Sequence, residues 1–189
     1  MALEPAAFKL IVGLGNPGPR YARTRHNVGW RLLKRLAGEE TWRDFEGQGL
    51  WCRAGGLILA KPMTYMNESG RFVGFFSRFH KIVPGRILIC FDDVALPLGR
   101  LRLRLRGSCG GHKGMESVIS TLGSEDIPRL RIGIGPQPAG MDAASFVLSR
   151  FSSREEKDLE CALEAAEEAV RLAAVQGLEA AMNRFNPAS

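Results

Sequence analysis

No apolar run in the 189-residue chain approaches the ~18 residues that a membrane-crossing helix needs. The first eight residues, Met-Ala-Leu-Glu-Pro-Ala-Ala-Phe, lack the charged and apolar regions of a secretory signal. Cys-x-x-Cys is absent too. Cys52, Cys90, Cys109 and Cys161 are widely spaced, which fits reduced thiols in a cytoplasmic protein better than a disulfide frame or a zinc site. Without a Walker A pattern or a Gly-x-Ser-x-Gly, a P-loop enzyme and a serine α/β-hydrolase are both disfavoured. Internal repeats are lacking as well.

What the chain does have is positive charge, unevenly spread. The formal net charge is +6. From Ser153 onward there are eight acids and four bases; before it there are twelve acids and twenty-two bases. A basic body points to a polyanionic partner, and an acidic last helix reads as a solvated face. The length suits a single domain, residues 1–189, with a core of its own.

Lys9 to Leu14 reads as a buried strand. It runs into a turn rich in Gly and Pro, and then into a basic stretch, Arg20 to Arg25, ending in His26-Asn27. Val28 to Leu36 is expected as a helix with Trp30, Leu33 and Ala37 on its apolar face and Gly38 as its stop. Leu50 to Ala54 and Leu57 to Ala60 read as a hairpin about Gly55-Gly56. Lys61 to Asn67 is then a loop. Ser69 is expected to cap a helix over Gly70 to His80 whose apolar face holds Phe72, Val73, Phe76 and Phe79. Arg86 to Phe91 reads as a second apolar strand ending on Asp92-Asp93. Arg100 to Arg106 alternates strictly, placing Leu101, Leu103 and Leu105 in the core and four arginines on the other face. Four like charges about 7 Å apart repel each other, so this face points to anion binding. Gly107 to Gly114 reads as a flexible loop before a helix over Met115 to Leu122. Arg129 to Ile134 is a further strand, and Gly135 to Gly140 a lid candidate. Ser153 and Glu156 have capping-box spacing ahead of a helix carrying Leu159, Leu163, Ala166, Val170 and Ala173, with Gly177 as its stop. A short segment, Leu178 to Arg184, follows. Strands alternating with helices predict an α/β fold: a mixed, mostly parallel twisted sheet flanked by helices, with an antiparallel edge.

Gly13-x-Gly15-x-x-Gly18 matches a dinucleotide fingerprint by letter. Pro17 and Pro19, however, remove backbone N–H groups that would face a pyrophosphate, and the helix starts about ten residues too late. The polar residues at strand ends are Asn16, His26, Asn67, Asp92, Asp93 and His112. Histidine, aspartate and amides without a nucleophilic Ser or Cys suggest general-base hydrolysis. A neutral imidazole takes a proton from water near pH 7, a carboxylate behind it fixes the tautomer, and an Asn N–H stabilises an oxyanion. Each has a plainer alternative: a surface His26, Asn16 forming a turn before Pro17, Asp92 and Asp93 capping a turn. Two histidines with carboxylates also invite a metal site, but no ligand spacing supports one.

The motifs together are more specific. Val-Gly-Leu-Gly-Asn-Pro-Gly (12–18), Tyr-x-x-Thr-Arg-His-Asn-Val-Gly (21–29) and Lys-Pro-x-Thr-x-Met-Asn-x-Ser-Gly (61–70) resemble bacterial-type peptidyl-tRNA hydrolase. So do Asp-Asp (92–93) with Leu-Pro-Leu-Gly-Arg (96–100), Gly-Gly-His-x-Gly (110–114), Arg-Leu-Arg-Ile-Gly-Ile-Gly (129–135) and Ala-Met-Asn-Arg-Phe-Asn (181–186). The resemblance implies a monomeric cytoplasmic α/β enzyme that needs no cofactor or metal. Such an enzyme cleaves the ester between a peptide and the tRNA 3′ ribose, recycling tRNA from peptidyl-tRNA that stalled ribosomes release. By motif, His26 is the general base and Asp92 orients it. Asn67 holds the oxyanion or the peptide carbonyl, and Asn16 positions the 3′ nucleotide and the water. Met66 and Tyr21 line the cleft, and Arg104 and Arg131 clamp the tRNA 5′ phosphate. The Gly110–Gly114 loop and a lid around Gly135–Phe146 shape the cleft. Lys113 stands where the family usually has Asn and binds substrate there; a lysine donates but cannot accept, so altered efficiency is expected. Phe91 stands where His or Tyr is frequent. A non-catalytic RNA-binding relative on the same fold is the competing reading, and a nucleotide-dependent oxidoreductase the third.

Overall fold

Leu10, Ile11 and Val12 are fully buried in the strand β1 (Leu10–Gly13), at the centre of a seven-stranded sheet. The structure is a computed structural model that describes residues 8–186; residues 1–7, most of the stretch without the features of a secretory signal, lie outside them. Parallel ladders join β1 to β4 (Leu57–Pro62) on one side and to β5 (Ile87–Pro97) on the other, and β5 to β7 (Arg129–Gly135). Antiparallel strands close both ends: β3 (Gly49–Ala54) and β2 (Arg43–Phe45) beyond β4, and β6 (Leu101–Arg104) beyond β7. The sheet is therefore mixed, with a parallel centre and antiparallel flanks.

Strand alternation sends side chains to two separate cores. Ile11, Leu88, Cys90, Leu130 and Ile132 pack against α1 (Val28–Ala37), α5 (Ser153–Gln176) and α6 (Leu178–Phe185). Leu10, Val12, Ile87, Ile89 and Phe91 pack against α2 (Ser69–Phe79) and α3 (Lys113–Leu122). The fingerprint glycines serve this packing. A Cβ on Gly13 would lie 2.4 Å from the Gly29 carbonyl oxygen of α1, and one on Gly15 would lie 2.8 Å from the Trp30 indole. They bring helix to strand rather than backbone to a phosphate.

Several expectations shift on contact with the fold. Ser69 is the first residue of α2 rather than its cap; its hydroxyl turns back to the Met66 carbonyl at 2.8 Å. The capping box is Ser152 with Glu155, one residue earlier than read, because Ser152 has the extended backbone a cap requires. Trp30 is half-buried, while Leu32, Leu33 and Leu36 carry the buried face of α1. Phe79 is exposed, the last residue of α2, met on one side by the rings of Phe45 and His80. Leu105 is exposed because β6 stops at Arg104. The strand β5 does not end on Asp92-Asp93 but continues to Pro97 through a register shift, with Asp93 Oδ1 accepting the Ala95 N–H at 2.9 Å. The short β2 and the helix α4 (Ala143–Val147) carry too weak a pattern to be read in advance. Among the described residues no helix is long and apolar enough to cross a membrane.

Candidate active site

After β1 the chain turns at Asn16, which is buried. The Asn27 side chain holds it from both sides: Asn27 Oδ1 accepts the Asn16 N–H at 3.0 Å, and Asn27 Nδ2 donates to the Asn16 carbonyl at 2.9 Å. Asn16 Oδ1 in turn accepts the Met66 N–H at 2.8 Å. Asn16 thus ties the loop after β1 to the loop after β4.

His26 lies in a 3-10 turn, Arg25–Asn27, at the entrance to α1. Its Nδ1 is 2.8 Å from both oxygens of Asp92, on the central strand β5. His112, the N-cap of α3, places Nε2 2.9 Å from Asp92 Oδ1. The tautomers follow from the neighbours. His112 Nδ1 accepts the Met115 N–H at 3.2 Å, so the His112 proton sits on Nε2 and is donated to Asp92. His26 donates its Nδ1–H to the same carboxylate, and its Nε2 keeps a lone pair. Asp92 is 1% exposed in its side chain, His26 11% and His112 8%. Burial alone would push the Asp92 carboxyl up. The adjacent His112 and His26 and the hydrogen bonds from both rings overcome this and hold it well below the usual carboxylate range. Phe91 sets its ring centroid 4.7 Å from that of His112 and supplies an apolar wall there.

His26, Asp92 and His112 are also a three-donor set in which a divalent cation could be imagined. The hydrogen bonds disagree. A metal on His112 Nε2 would move the proton to Nδ1, against the Met115 N–H donor. The arrangement suits two N–H donors on one carboxylate better than a metal.

The group opens on a cleft of about 1260 Å³, lined by Asn16, His26, Met66, Asn67, Asp92, His112 and Lys113. Ala143, Ala144, Val147 and Leu148 add an apolar wall from α4 and the residue after it; of the expected lid region Gly135–Phe146 only Ala143 and Ala144 are among the lining, and none of Gly135–Gly140. Asn67 is exposed, and among the described residues no hydrogen bond holds its amide. Met66 is buried at the cleft base. Tyr21 does not line the cleft; it stands behind Tyr65, which does, in an edge-to-face pair with centroids 6.4 Å apart. The Lys113 ammonium bonds Glu116 at 3.0 Å across one turn of α3.

The arginine strand pairs with β7 so that Arg102 lies opposite Arg131 and Arg104 opposite Arg129. Arg104 and Arg106 are exposed and border the cleft. The Arg131 Nε donates to Asp93 Oδ2 at 2.5 Å, which fixes the side chain and leaves its Nη groups without a partner among the described residues. Arg129, by contrast, is buried, donating to the carbonyls of Ile127, Ser108 and Glu125, and holds the 107–112 loop in place.

Three contributors escape a reading of the sequence. Asn27 looks like a helix cap; His112 carries no sign that it reaches Asp92; Arg25 looks like one more surface base in a basic stretch. Only the motif spacing Thr-Arg-His-Asn, which keeps Arg25 and Asn27 in one turn with His26, hints at the first and last of them.

Comparison with known proteins agrees over nearly the whole chain. A family model described as "Peptidyl-tRNA hydrolase" matches residues 10–189. Peptidyl-tRNA hydrolase of Elusimicrobium minutum is 48% identical over 185 residues, covering 95% of this chain and 99% of its own. That of Symbiobacterium thermophilum is 50% identical over 186 residues, covering 94% and 98%. The crystal structure of peptidyl-tRNA hydrolase from Acinetobacter baumannii superposes with a TM-score of 0.90 at 35% identity, over 98% of this chain and 97% of that one.

Proposed function

The chain belongs to the peptidyl-tRNA hydrolase family, and we propose from that premise that its cleft hydrolyses the ester between a peptide, or an N-blocked aminoacyl group, and the tRNA 3′ ribose. The observation that carries the mechanism is the 2.8 Å contact of His26 Nδ1 with both Asp92 oxygens, which assigns the ring proton to Nδ1 and leaves Nε2 to take a proton. His26 draws a proton from water as the water oxygen attacks the ester carbonyl. Asp92 stabilises the imidazolium that forms. The unengaged Asn67 amide donates to the oxyanion. When the tetrahedral intermediate collapses, the 3′ oxygen leaves and takes the proton back from His26. Asn16 holds the nucleotide end against the base, and Met66 packs beneath it. Tyr21 acts at one remove, by supporting Tyr65. Lys113 borders the substrate path as a donor.

Arg104 and Arg131 bind the tRNA 5′ phosphate, Arg131 with the Nη groups that Asp93 does not use. Phosphate contacts position the tRNA without reading its sequence. We place the enzyme in the cytoplasm as a monomeric single domain, residues 1–189, recycling tRNA after stalled translation with its own side chains as the catalytic groups.

The test is hydrolysis of N-acetylaminoacyl-tRNA beside free aminoacyl-tRNA. Cleavage of the blocked substrate and sparing of the free one is the expected result. Intact blocked substrate, with tRNA still bound at low salt, would mark an RNA-binding protein instead.

A further inference from the structure

Arg25 immediately precedes His26, yet its side chain bonds residues on either side of the cleft-lining stretch Ala143–Leu148 in the chain: Ile134 before it, Ser149 and Glu155 after it. It is 6% exposed. Its backbone N–H donates to the Ser149 carbonyl at 3.0 Å and its Nε to Ser149 Oγ at 3.1 Å. Nη1 reaches the Ile134 carbonyl near the end of β7 at 3.1 Å, and Nη2 meets both Glu155 oxygens at 2.8 and 2.9 Å. The guanidinium is flanked by the rings of Phe146 and Phe151, with centroids 4.6 and 4.5 Å from its Cζ. Glu155 also closes the capping box of α5. On either side, Thr24 forms an antiparallel bridge to Arg150, and Asn27 grips Asn16. Four consecutive residues are thus fixed to three segments: Thr24 and Arg25 to the one through Ser149 and Arg150, His26 to Asp92 and Asn27 to Asn16.

A buried arginine so fully engaged is more than packing. A buried basic side chain needs its whole set of acceptors, and every one of them lies within the segment from Ile134 to Glu155 that carries Ala143, Ala144, Val147 and Leu148. We propose that Arg25 is a positioning residue that couples this wall to the aim of His26, so that substrate pressing on Ala143, Ala144, Val147 and Leu148 reaches the base through one rigid guanidinium. The proposal rests on His26 acting as the base in the reaction proposed above. Small errors of aim are costly: a displacement of about 1 Å can lower turnover by roughly 10²-fold.

Arg25→Lys keeps a cation between the two rings but cannot reach Glu155 and Ile134 together. Glu155→Gln keeps an acceptor and the cap but removes the charge. Turnover of N-acetylaminoacyl-tRNA is measured per folded molecule, with the folded fraction taken from thermal unfolding. Arg25→Lys is expected to lower kcat about tenfold and to change KM less than threefold. Glu155→Gln should cost about threefold, and the double variant no more than Arg25→Lys alone, because both act through one contact. A purely structural role would lower the folded fraction and leave kcat per folded molecule intact, and either that result or multiplying effects would overturn the coupling. A second readout does not depend on activity: the proton resonance of His26 Nδ1–H, assigned by its loss in His26→Gln. In Arg25→Lys it should shift and exchange faster with solvent. An unchanged resonance overturns the proposal even if the wild type proves inactive toward the blocked substrate, whereas inactivity with a shifted resonance would count against the reaction alone.

Discussion

Replacing Asp92 by Asn is nearly neutral in volume but reverses the hydrogen bonding at the centre of the site. Today one carboxylate accepts two ring N–H groups, His112 on Oδ1 and His26 on both oxygens. An Asn side chain has one acceptor and one donor end. His112 cannot change tautomer, because Met115 N–H occupies its Nδ1, so the amide oxygen goes to the Oδ1 position. His26 Nδ1 is equally close, 2.8 Å, to both positions, but an Nδ1–H there would also point at the amide hydrogens, which favours the other tautomer. His26 turns acceptor there, its proton moves to Nε2, and the lone pair that takes a proton from water is lost. In a Ser-His-Asp triad the same change of tautomer costs about 10⁴-fold. Without a protein nucleophile to deprotonate, we expect a fall in kcat of about 10³- to 10⁴-fold, roughly 4 to 5.5 kcal/mol of barrier, with KM little altered. Single-turnover hydrolysis of N-acetylaminoacyl-tRNA measures it; a loss below about tenfold would refute the tautomer argument. The same variant tests the charge. The folded Asp92 carboxyl lies below the usual range, so its stabilisation is present above the unfolded value near ~3.9 and is lost as pH falls toward the folded one. Asp92→Asn lacks this contribution, and its Tm should therefore drop less than that of the wild type between pH 7 and pH 3. Parallel acid profiles would contradict the assignment.

His26→Ala should lower turnover at least ~100-fold while tRNA binding survives; retained turnover removes His26 as the base. Arg104→Ala and Arg131→Ala should each weaken tRNA binding and flatten its salt dependence by about one unit of slope. Equal cleavage of substrates with and without the 5′ phosphate would rule out the clamp. Gly29→Ala would place a Cβ 2.5 Å from the Cys90 carbonyl oxygen and 2.7 Å from that of Leu14. The helix must lift off the sheet at a cost of about 3 kcal/mol, a Tm lower by roughly 6 to 12 °C in calorimetry.

The strands were legible where composition and period agree locally. Leu10 to Val12 and Ile87 to Phe91 are apolar on both faces because both faces are covered by helices, and Leu101 to Arg104 alternates because only one side of it enters a core. The pattern failed at element ends. Leu105 continues the alternation after the ladder with β7 has stopped, and Phe79 continues the stripe of α2 at a position where little covers it. Of the candidate site, His26 with Asp92 was readable as chemistry, since few other residue types at strand ends could activate water. What held them was not. His112 and Arg25 find their partners 20 to 130 residues away, and no local signal separates a buried, fully bonded arginine from a solvated one. Arg131 was readable as a cation but not as the partner of Asp93, because that pair forms only when β5 and β7 lie side by side.

The place of β1 bears on how the chain is made. Both neighbours of this strand in the sheet come later in the chain: β4 ends at Pro62 and β5 begins at Ile87. Until β4 has been made, Leu10 to Val12 is an unpaired apolar strand with both edges open, and one edge stays open until β5 follows; such a segment aggregates or recruits a chaperone. Its pairing partners carry Asp92 and lead into Asn67, while His112 and the Phe146 wall follow only with the second half of the chain. Synthesis must therefore pass Leu148 before a nascent copy can bring all the residues of the cleft together.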